Sequence, residues 1–331
     1  MVVGSKINSV MVLAGGVGAA RFLRGLALVH DQRATTALVN TGDDTVLHGL
    51  NISPDIDTVI YTLSEAIDPQ RGWGLSNETW RAMESLKRYV DVRPTGSIAA
   101  PEWFNLGDQD LATHFYRTAR KSEGADASQI TSEIARAWKV AQRIVPMTNN
   151  VVATFVELAQ DCQAGKAGEQ ISFQEYFVKY QHSVAVRAIY FQGAETAKPN
   201  CIDELSRAEV IVIAPSNPIV SIGPIRALTG IDEVLVANRE RVVAISPIIG
   251  GHALKGPADR MLTELGHESS ALGIARLYKS IASTLIIDAV DADLKDAIER
   301  EGLRCIVTNT VMSDLKVAGQ LAQTTLGSVV R

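Results

Sequence analysis

Short, uninterrupted runs of apolar and β-branched residues recur along the chain and alternate with segments of helical character. A strand that is apolar at every position, rather than at every second one, is typical of a parallel sheet covered by helices on both faces. The alternation of strands and helices favours the same architecture. The sequence therefore predicts an α/β protein with a mostly parallel sheet, with strands at 9–13, 36–40, 151–158, 185–191, 210–214, 242–246, 284–288 and 304–308.

The segment 59–141 differs from the rest of the chain because it contains no convincing strand. Its DASQITSE stretch is typical of a helix start, with Ser128 or Thr131 as the cap. We therefore expect an α/β core of residues 1–58 and 142–331 and a helical insertion, 59–141, that forms part of the substrate cleft. The helices are predicted at 20–29, 58–64, 77–89, 107–123, 128–139, 262–278 and 314–326.

Composition and charge exclude several classes of protein. The net charge is −5, no Lys/Arg-rich block occurs and only 5% of the residues are aromatic, so nucleic acid is not an expected partner. No apolar stretch approaches the roughly 20 residues of a membrane span, and the first residues do not have the pattern of a secretory signal. Three widely spaced cysteines favour neither a disulfide framework nor a zinc ribbon. We expect a cytoplasmic protein without membrane contact.

The segment VMVLAGGVGAAR, residues 10–21, is an apolar strand that ends in Gly15, Gly16 and Gly18 and leads into a helix. Glycines at this position let the backbone approach a phosphate, which the N–H groups and dipole of the helix N-terminus attract. Arg21 can add a cation to the same anion. The segment matches neither the dinucleotide fingerprint nor the P-loop. The alternative is a tight turn with a solvated arginine.

Carboxylates follow the next predicted strand in NTGDD, and others open a helix in PDIDT. Acidic side chains at the carboxyl ends of neighbouring strands, facing a phosphate loop, can hold a Mg²⁺ ion that bridges phosphate oxygens. Asp44 and Asp57 are the favoured ligands because two dispersed residues can converge where a single turn cannot. Asp55 is also a candidate helix cap, and Asp43 a candidate turn residue.

Two further loops carry polar residues after apolar strands. The loop in APSNPIVSIGPI contains Ser216, Asn217 and Ser221, which suit recognition of a base edge, a ribose or a phosphate. The loop in ISPIIGGHALKGP contains Lys255, a candidate anion contact or simply a solvated lysine. Ordinary strand-to-helix loops have similar compositions, so neither loop is specific by itself.

The segment LGDQDLATH starts another predicted helix with Asp108, Asp110 and His114. Asp108 is a candidate cap, and His114 a candidate buried helix histidine. The six histidines show no zinc-ligand spacing, and the chain contains neither a G-x-S-x-G elbow nor a cysteine-nucleophile signature. Covalent catalysis is therefore not indicated.

Taken together, these segments resemble the 2-phospho-L-lactate transferase family of deazaflavin coenzyme biosynthesis, CofD in archaea and FbiA in actinobacteria. The resemblance covers nearly the whole chain and is closest to the actinobacterial branch. It rests on eight blocks in the family's order: AGGVGAARFLRGL, VNTGDDTVLHGLNISPDIDTVIYTL, DPQRGWGLSNETW, WFNLGDQDLATH, ISFQEYFVKYQ, IAPSNPIVSIGPI, SPIIGGHALKGPADRML and ESSALGIARLY.

The resemblance implies a Rossmann-like core and a Mg²⁺-dependent transferase that acts as a homodimer. Its substrates would be the deazaflavin Fo and a guanylylated phospholactate or phosphoenolpyruvate, with GMP released. Such a reaction depends on positioning and charge neutralisation rather than on a covalent intermediate. The sequence does not distinguish the lactyl from the enolpyruvyl donor.

The resemblance also assigns roles to individual residues. Asp44 and Asp57 would be the catalytic and metal-binding carboxylates, and Asp57 is also a candidate proton acceptor. Asp57 and Asn105 would contact the deazaflavin. Binding of the donor and its phosphates would fall to Gly15, Gly16, Gly18, Arg21, Ser216, Asn217 and Ser221.

Two positions depart from the family pattern. Asn149 and Asn150 stand where many relatives have an acidic pair, and Asn105 stands where relatives carry a lysine. The first change would weaken a metal site if that pair contributes to it, and the second would remove a charge contact to substrate. The alternative function is a nucleotide-sugar-binding regulatory protein of the YvcK type, which has a similar glycine-rich start but no evident use for DPQRGWG or FNLGDQDLATH.

Overall fold

The computed structural model describes residues 7–329, so both ends of the predicted core, residues 1–6 and 330–331, lie outside the described residues. The strands are β1 (Val10–Ala14), β2 (Thr35–Val39), β3 (Thr45–Leu47), β4 (Leu50–Ile52), β5 (Arg143–Pro146), β6 (Ala153–Leu158), β7 (Gln170–Ser172), β8 (Val186–Gln192), β9 (Val210–Ile213), β10 (Val242–Ile245), β11 (Ile248–Ile249), β12 (His252–Ala253), β13 (Thr284–Asp288) and β14 (Arg304–Thr308). The α-helices are α1 (Gly16–Val29), α2 (Pro54–Leu63), α3 (Arg81–Leu86), α4 (Asp110–Ser122), α5 (Ala127–Ala137), α6 (Ile202–Arg207), α7 (Gly223–Arg226), α8 (Ile231–Ala237), α9 (Ala258–Glu264), α10 (Ala271–Tyr278), α11 (Lys295–Arg300) and α12 (Leu315–Gly327).

Seven parallel strands form the central sheet in the order β14-β13-β10-β9-β1-β2-β5. The chain builds outward from β1 through β2 and β5 on one side, and through β9, β10, β13 and β14 on the other. The connection therefore reverses between β1 and β9, and open α/β sheets bind ligands outside the carboxyl ends of their strands at such a point. The predicted Rossmann-like α/β core is confirmed.

Both faces of the sheet are buried, as the uninterrupted apolar strands predict. In β1, Met11 and Leu13 pack into the apolar cluster on one face, and Val10, Val12 and Ala14 pack into the cluster on the other. Helix α1 packs closely against α12 because Gly25 has no side chain where it meets the backbone of α12. None of the described helices is long and apolar enough to cross a membrane.

Two predicted strands occur, but in a different sheet. The strands predicted at 151–158 and 185–191 correspond to β6 and β8, which join β7 in a separate antiparallel sheet. Most of β8 is half-buried or exposed, as in a sheet that is covered on one face only. The central sheet instead uses β5, which the prediction lacks because four residues ending in Pro146 give a weak strand signal.

The helix predicted at 262–278 is two helices, α9 and α10. Gly266 follows the first helix with φ +79°, and Ser270 caps the second by accepting a hydrogen bond from Gly273 N. The predicted caps of α5 are also wrong. Asp126 is the N-cap, and its side chain and that of Gln129 form a reciprocal capping box.

Residues 59–141 contain the rest of α2 together with α3, α4 and α5, and no strand of the central sheet. Helix α2 packs against α1, and α5 packs against β5. The amino end of α2, which precedes this segment, lies at the carboxyl edge of the sheet beside the loops that follow β1 and β2. The boundaries of the insertion as a separate unit stay a prediction.

Candidate active site

The glycine-rich turn after β1 is where three segments of the chain meet. A Cβ on Gly15 would lie 2.7 Å from Ser221 Cβ and 2.8 Å from Asp55 Oδ2, and one on Gly18 would overlap Pro215 O. Gly16 has φ +70°, a conformation that favours glycine. These glycines therefore bring the first turn of α1 against α2 and against the loop after β9.

The loop after β9 holds the polar residues that the sequence singles out. Ser216 Oγ donates a hydrogen bond to Gly15 O at 2.8 Å, and Ser221 contacts the same glycine. The side-chain oxygen of Asn217 accepts from Ile219 N at 2.9 Å, so it shapes its own turn. The structure thus brings Ser216 and Ser221 to the glycine-rich turn. The side-chain oxygen of Asn217 instead accepts a hydrogen bond within its own loop.

Four acidic side chains, Asp43, Asp44, Asp55 and Asp57, gather between β2 and α2, and we call them the carboxylate cluster. Asp43, Asp55 and Asp57 are buried, whereas Asp44 is an exposed residue whose carboxyl group is partly enclosed by its neighbours. Asp44 Oδ2 accepts a hydrogen bond from Ser53 Oγ at 2.8 Å. Asp55 is not the cap of α2, because that position belongs to Ser53.

The charges of the carboxylate cluster interact. Burial raises the pKa of Asp43 well above its usual value, and the charge of Asp55 raises it further. Burial also raises the pKa of Asp55 to about 6, although the hydrogen bond from Asn40 acts in the opposite direction and lowers it. Desolvation of its carboxyl group raises the pKa of Asp44 to about 7, and the charges of Asp57 and Asp55 add to the rise. Carboxylates that disfavour one another's ionised form are suited to a cation.

The carboxylate cluster fits a Mg²⁺ ion that has some ligands from the protein and the others from water or substrate. Among residues 7–329, no group of three or more His, Cys, Asp or Glu side chains is arranged to hold a metal by itself. Magnesium commonly uses one or two carboxylates and completes its shell with water and substrate phosphates. Asp44 lies in an exposed residue position, and one carboxylate oxygen of Asp57 has no hydrogen-bond partner among the described residues, so both suit that arrangement.

Asp57 is ion-paired with Arg117, which the sequence reasoning did not single out. The pair joins Arg117 Nη2 to Asp57 Oδ1, and the Arg117 side chain is only 7% exposed. Nothing local in the sequence distinguishes Arg117 from a solvated helix arginine, except that it lies three and seven residues after His114 and Asp110 on one helix face. His114 is a buried helix histidine, as predicted.

Two basic side chains lie near the glycine-rich turn. Lys255 Nζ donates to Arg71 O at 2.9 Å. Gly72, which follows Arg71, lies close to Val17 in the first turn of α1. Burial and the positive charge of Arg21 lower the pKa of Lys255. Two cations close enough to repel each other beside a helix N-terminus suit an anionic ligand.

A cavity of about 360 Å³ opens beside α3, and Asn105 lies on its wall. The guanidinium of Arg71 is 5.4 Å from the ring centre of Trp73 and 5.5 Å from that of Trp80. The cavity is lined by Trp73, Trp80, Met83, Glu84, Lys87 and Asn105.

The remaining residues that the sequence singles out have structural roles. Asp108 caps α3 rather than α4, since its carboxylate accepts from Arg81 N and Ala82 N. Asn149 Oδ1 accepts from Ser128 N at 2.9 Å, and Asn150 Oδ1 accepts from Lys198 N at 3.0 Å. Both asparagine side chains thus hold neighbouring backbone.

The fold and the site define a Rossmann-like α/β protein with polar loops at the reversal point of its sheet. Residues 10–311 match the sequence profile of the family described as 2-phospho-L-lactate transferase CofD. The chain belongs to this family of transferases.

Curated relatives support the assignment over nearly full length. The chain is 39% identical over 320 residues to a phosphoenolpyruvate transferase of Streptomyces griseus, covering 96% of this chain and 97% of the relative. It is 37% identical over 329 residues to a phosphoenolpyruvate transferase of Mycobacterium tuberculosis, covering 95% and 96%.

A solved structure shares the fold at low sequence identity. The crystal structure of a UPF0052 family protein from Bacillus halodurans aligns with a TM-score of 0.59 and 16% identity, over 98% of this chain and 100% of that protein. At that identity the likeness concerns the fold alone.

Proposed function

We propose that this transferase moves a phosphoenolpyruvyl or phospholactyl group from a guanosine diphosphate-linked donor to the terminal ribityl hydroxyl of the deazaflavin Fo. The hydroxyl oxygen bonds to the phosphorus that carries the three-carbon group, the bond from that phosphorus to the bridging oxygen breaks, and GMP leaves. The hydroxyl proton passes to a base or to water. The names of the relatives favour the enolpyruvyl donor.

The observation that carries the proposal is the carboxylate cluster, which lies beside the glycine-rich turn at the carboxyl edge of the sheet, next to its reversal point. Asp44 and Asp57 would hold Mg²⁺, which neutralises charge on phosphoryl oxygens when it is bound. The amino end of α1, with Arg21 and Lys255, would attract the donor's phosphates. Phosphoryl transfer depends on this kind of positioning and charge neutralisation, and it needs no activated nucleophile on the protein.

The acceptor is assigned to the cavity beside α3. Its two tryptophans offer apolar rings, and Glu84, Lys87 and Asn105 offer polar groups, a combination that suits a flat heterocycle with polar edges. The exposed amide of Asn105 would bind the ring through hydrogen bonds rather than through charge. The homodimer implied by the family resemblance stays a prediction, which light scattering of the purified protein checks.

A mass-spectrometric assay tests the proposal. Purified protein is incubated with Fo, Mg²⁺ and either guanylylated phosphoenolpyruvate or guanylylated phospholactate. We expect GMP and the Fo phosphodiester, with faster turnover of the enolpyruvyl donor. Absence of product with both donors, together with tight binding of a UDP-sugar by calorimetry, would support the regulatory alternative instead.

A further inference from the structure

Helices α2 and α4 face each other through a buried seam of polar side chains. Asp57 and Tyr61 lie four residues apart on α2, and Asp110, His114 and Arg117 lie four and three residues apart on α4. Residues at these spacings share one face of a helix. The seam therefore joins the segment predicted as an insertion to the helix that carries Asp57.

The hydrogen bonds in the seam have a defined direction. Tyr61 Oη donates to Asp110 Oδ1 at 2.6 Å, and His114 Nε2 lies 3.3 Å from Asp110 Oδ2. Arg117 Nη1 lies 3.1 Å from His114 Nδ1. Arginine can only donate, so His114 Nδ1 is the acceptor in that contact, while Nε2 faces Asp110 without a formed hydrogen bond. His114 thereby fixes one arm of Arg117, and the other arm binds Asp57.

The two oxygens of Asp57 are in different situations. Oδ1 is bound by Arg117, whereas Oδ2 has no hydrogen-bond partner among the described residues and lies 3.8 Å from His114 Nδ1. A buried carboxylate oxygen without a partner is costly unless a ligand completes it. Packing alone does not require this pair, because apolar side chains of the same volume are often at least as stabilising.

We infer that Arg117 is a positioning residue for the transfer reaction: it binds Asp57 Oδ1 and leaves Oδ2 as the single oxygen offered to a ligand. His114 and Asp110 support it by holding the guanidinium in one orientation. The inference rests on the proposed function. If Arg117 only anchored α2 to α4, the contacts would be the same, but its loss would lower stability, substrate binding and turnover together.

The test compares Arg117→Ala with Arg120→Ala. Arg120 lies on the same helix, where it pairs with Glu133 on α5 at 2.9 Å, so its loss also loosens α4 but does not touch Asp57. We expect Arg117→Ala to lower kcat about 100-fold with little change in the KM of the donor, since small misplacements of reacting groups cost about that much. Arg120→Ala should retain kcat within about threefold.

Adding guanidinium ion to the variant separates positioning from anchoring, because the free ion can bind Asp57 but cannot link α2 to α4. In Arg117→Ala, guanidinium chloride at millimolar concentration should raise kcat at least about tenfold over its value in sodium chloride at equal ionic strength. It should also raise the melting temperature of this variant in the absence of substrates and Mg²⁺, but not that of Arg120→Ala. If kcat of Arg117→Ala stays within threefold of wild type, or if guanidinium does not raise kcat, the inference is wrong.

Arg117→Lys covers the case in which the alanine variant does not fold. Lysine keeps the charge but cannot bind Asp57 and His114 with two arms, so we expect a folded protein with kcat lowered about tenfold or more. Wild-type turnover in Arg117→Lys would contradict a positioning role. Failure of the proposed function has a different signature, because the wild type itself would then form no product.

Discussion

The side-chain amide of Asn40 donates a hydrogen bond of 2.9 Å to Asp55 Oδ2, and so ties the end of β2 to the first turn of α2. The same nitrogen lies 3.3 Å from Val220 O, and the amide oxygen accepts from Gly42 N at 2.8 Å. Asn40 thus connects the three segments that surround the carboxylate cluster. Its hydrogen bonds help to hold the acidic side chains of the cluster in place.

We predict that Asn40→Asp strongly destabilises the metal-free protein. The change adds a carboxylate to a buried group of acids and removes a donor, which should lower the free energy of unfolding by about 3 kcal/mol. Urea denaturation in EDTA measures it. Asn309→Asp is the control, since Asn309 is exposed and should change stability by less than about 0.5 kcal/mol. Equal effects of the two changes would contradict the assigned role of Asn40.

Gly18→Ala should disrupt the contact between the glycine-rich turn and the loop after β9. The added methyl group would overlap Pro215 O, and relieving such a clash costs about 1–3 kcal/mol. We expect a lower melting temperature and a weaker affinity for the guanylylated donor. Gly327→Ala is the matched control because a Cβ there meets no atom within 4 Å. Unchanged donor affinity in Gly18→Ala would show that the turn does not shape the donor site.

The pH dependence of stability reports on Asp55. Its pKa is about 6 in the folded protein and 3.8 as its ordinary value, so the folded state holds the proton more tightly. In EDTA, the contribution of Asp55 is therefore complete below about pH 4 and is lost as pH rises through about 6. Asp55→Asn should flatten the fall in unfolding free energy between pH 4 and pH 7. An unchanged slope in this variant would contradict the raised pKa.

Magnesium should bind the protein in the absence of substrates and raise its melting temperature, because a ligand that binds only the folded state stabilises it. Excess EDTA should stop transfer, and Asp44→Ala should remove the magnesium-dependent rise. Asp293→Ala, a change at an exposed acidic residue, should keep it. Full turnover in excess EDTA would exclude a role for the metal.

The sequence predicts the central sheet because its strands are apolar at every position, a pattern that buried parallel strands require. It places β6 and β8 in the wrong sheet, since a strand's own residues do not show which partner it pairs with. The glycine-rich turn and the acidic segments are visible because their chemistry is local. The Asp57–Arg117 pair spans 60 residues, and no local signal shows that this arginine is buried.

The structure also changes which variant tests Asp57. Treated as a surface carboxylate, it invites Asp57→Ala, but it is buried and that change would leave Arg117 unpaired, at a cost of about 3–5 kcal/mol. Asp57→Asn keeps the volume and leaves an oxygen for Arg117. It is the cleaner substitution for separating function from folding.

The most direct measurement is the rate of GMP and phosphodiester formation by Asp57→Asn and wild type, followed by mass spectrometry with Fo, Mg²⁺ and the enolpyruvyl donor. We expect a folded variant that is less destabilised than Asp57→Ala and whose rate is lower by at least about 100-fold. Turnover near the wild-type rate would contradict the assignment of the reaction to the carboxylate cluster.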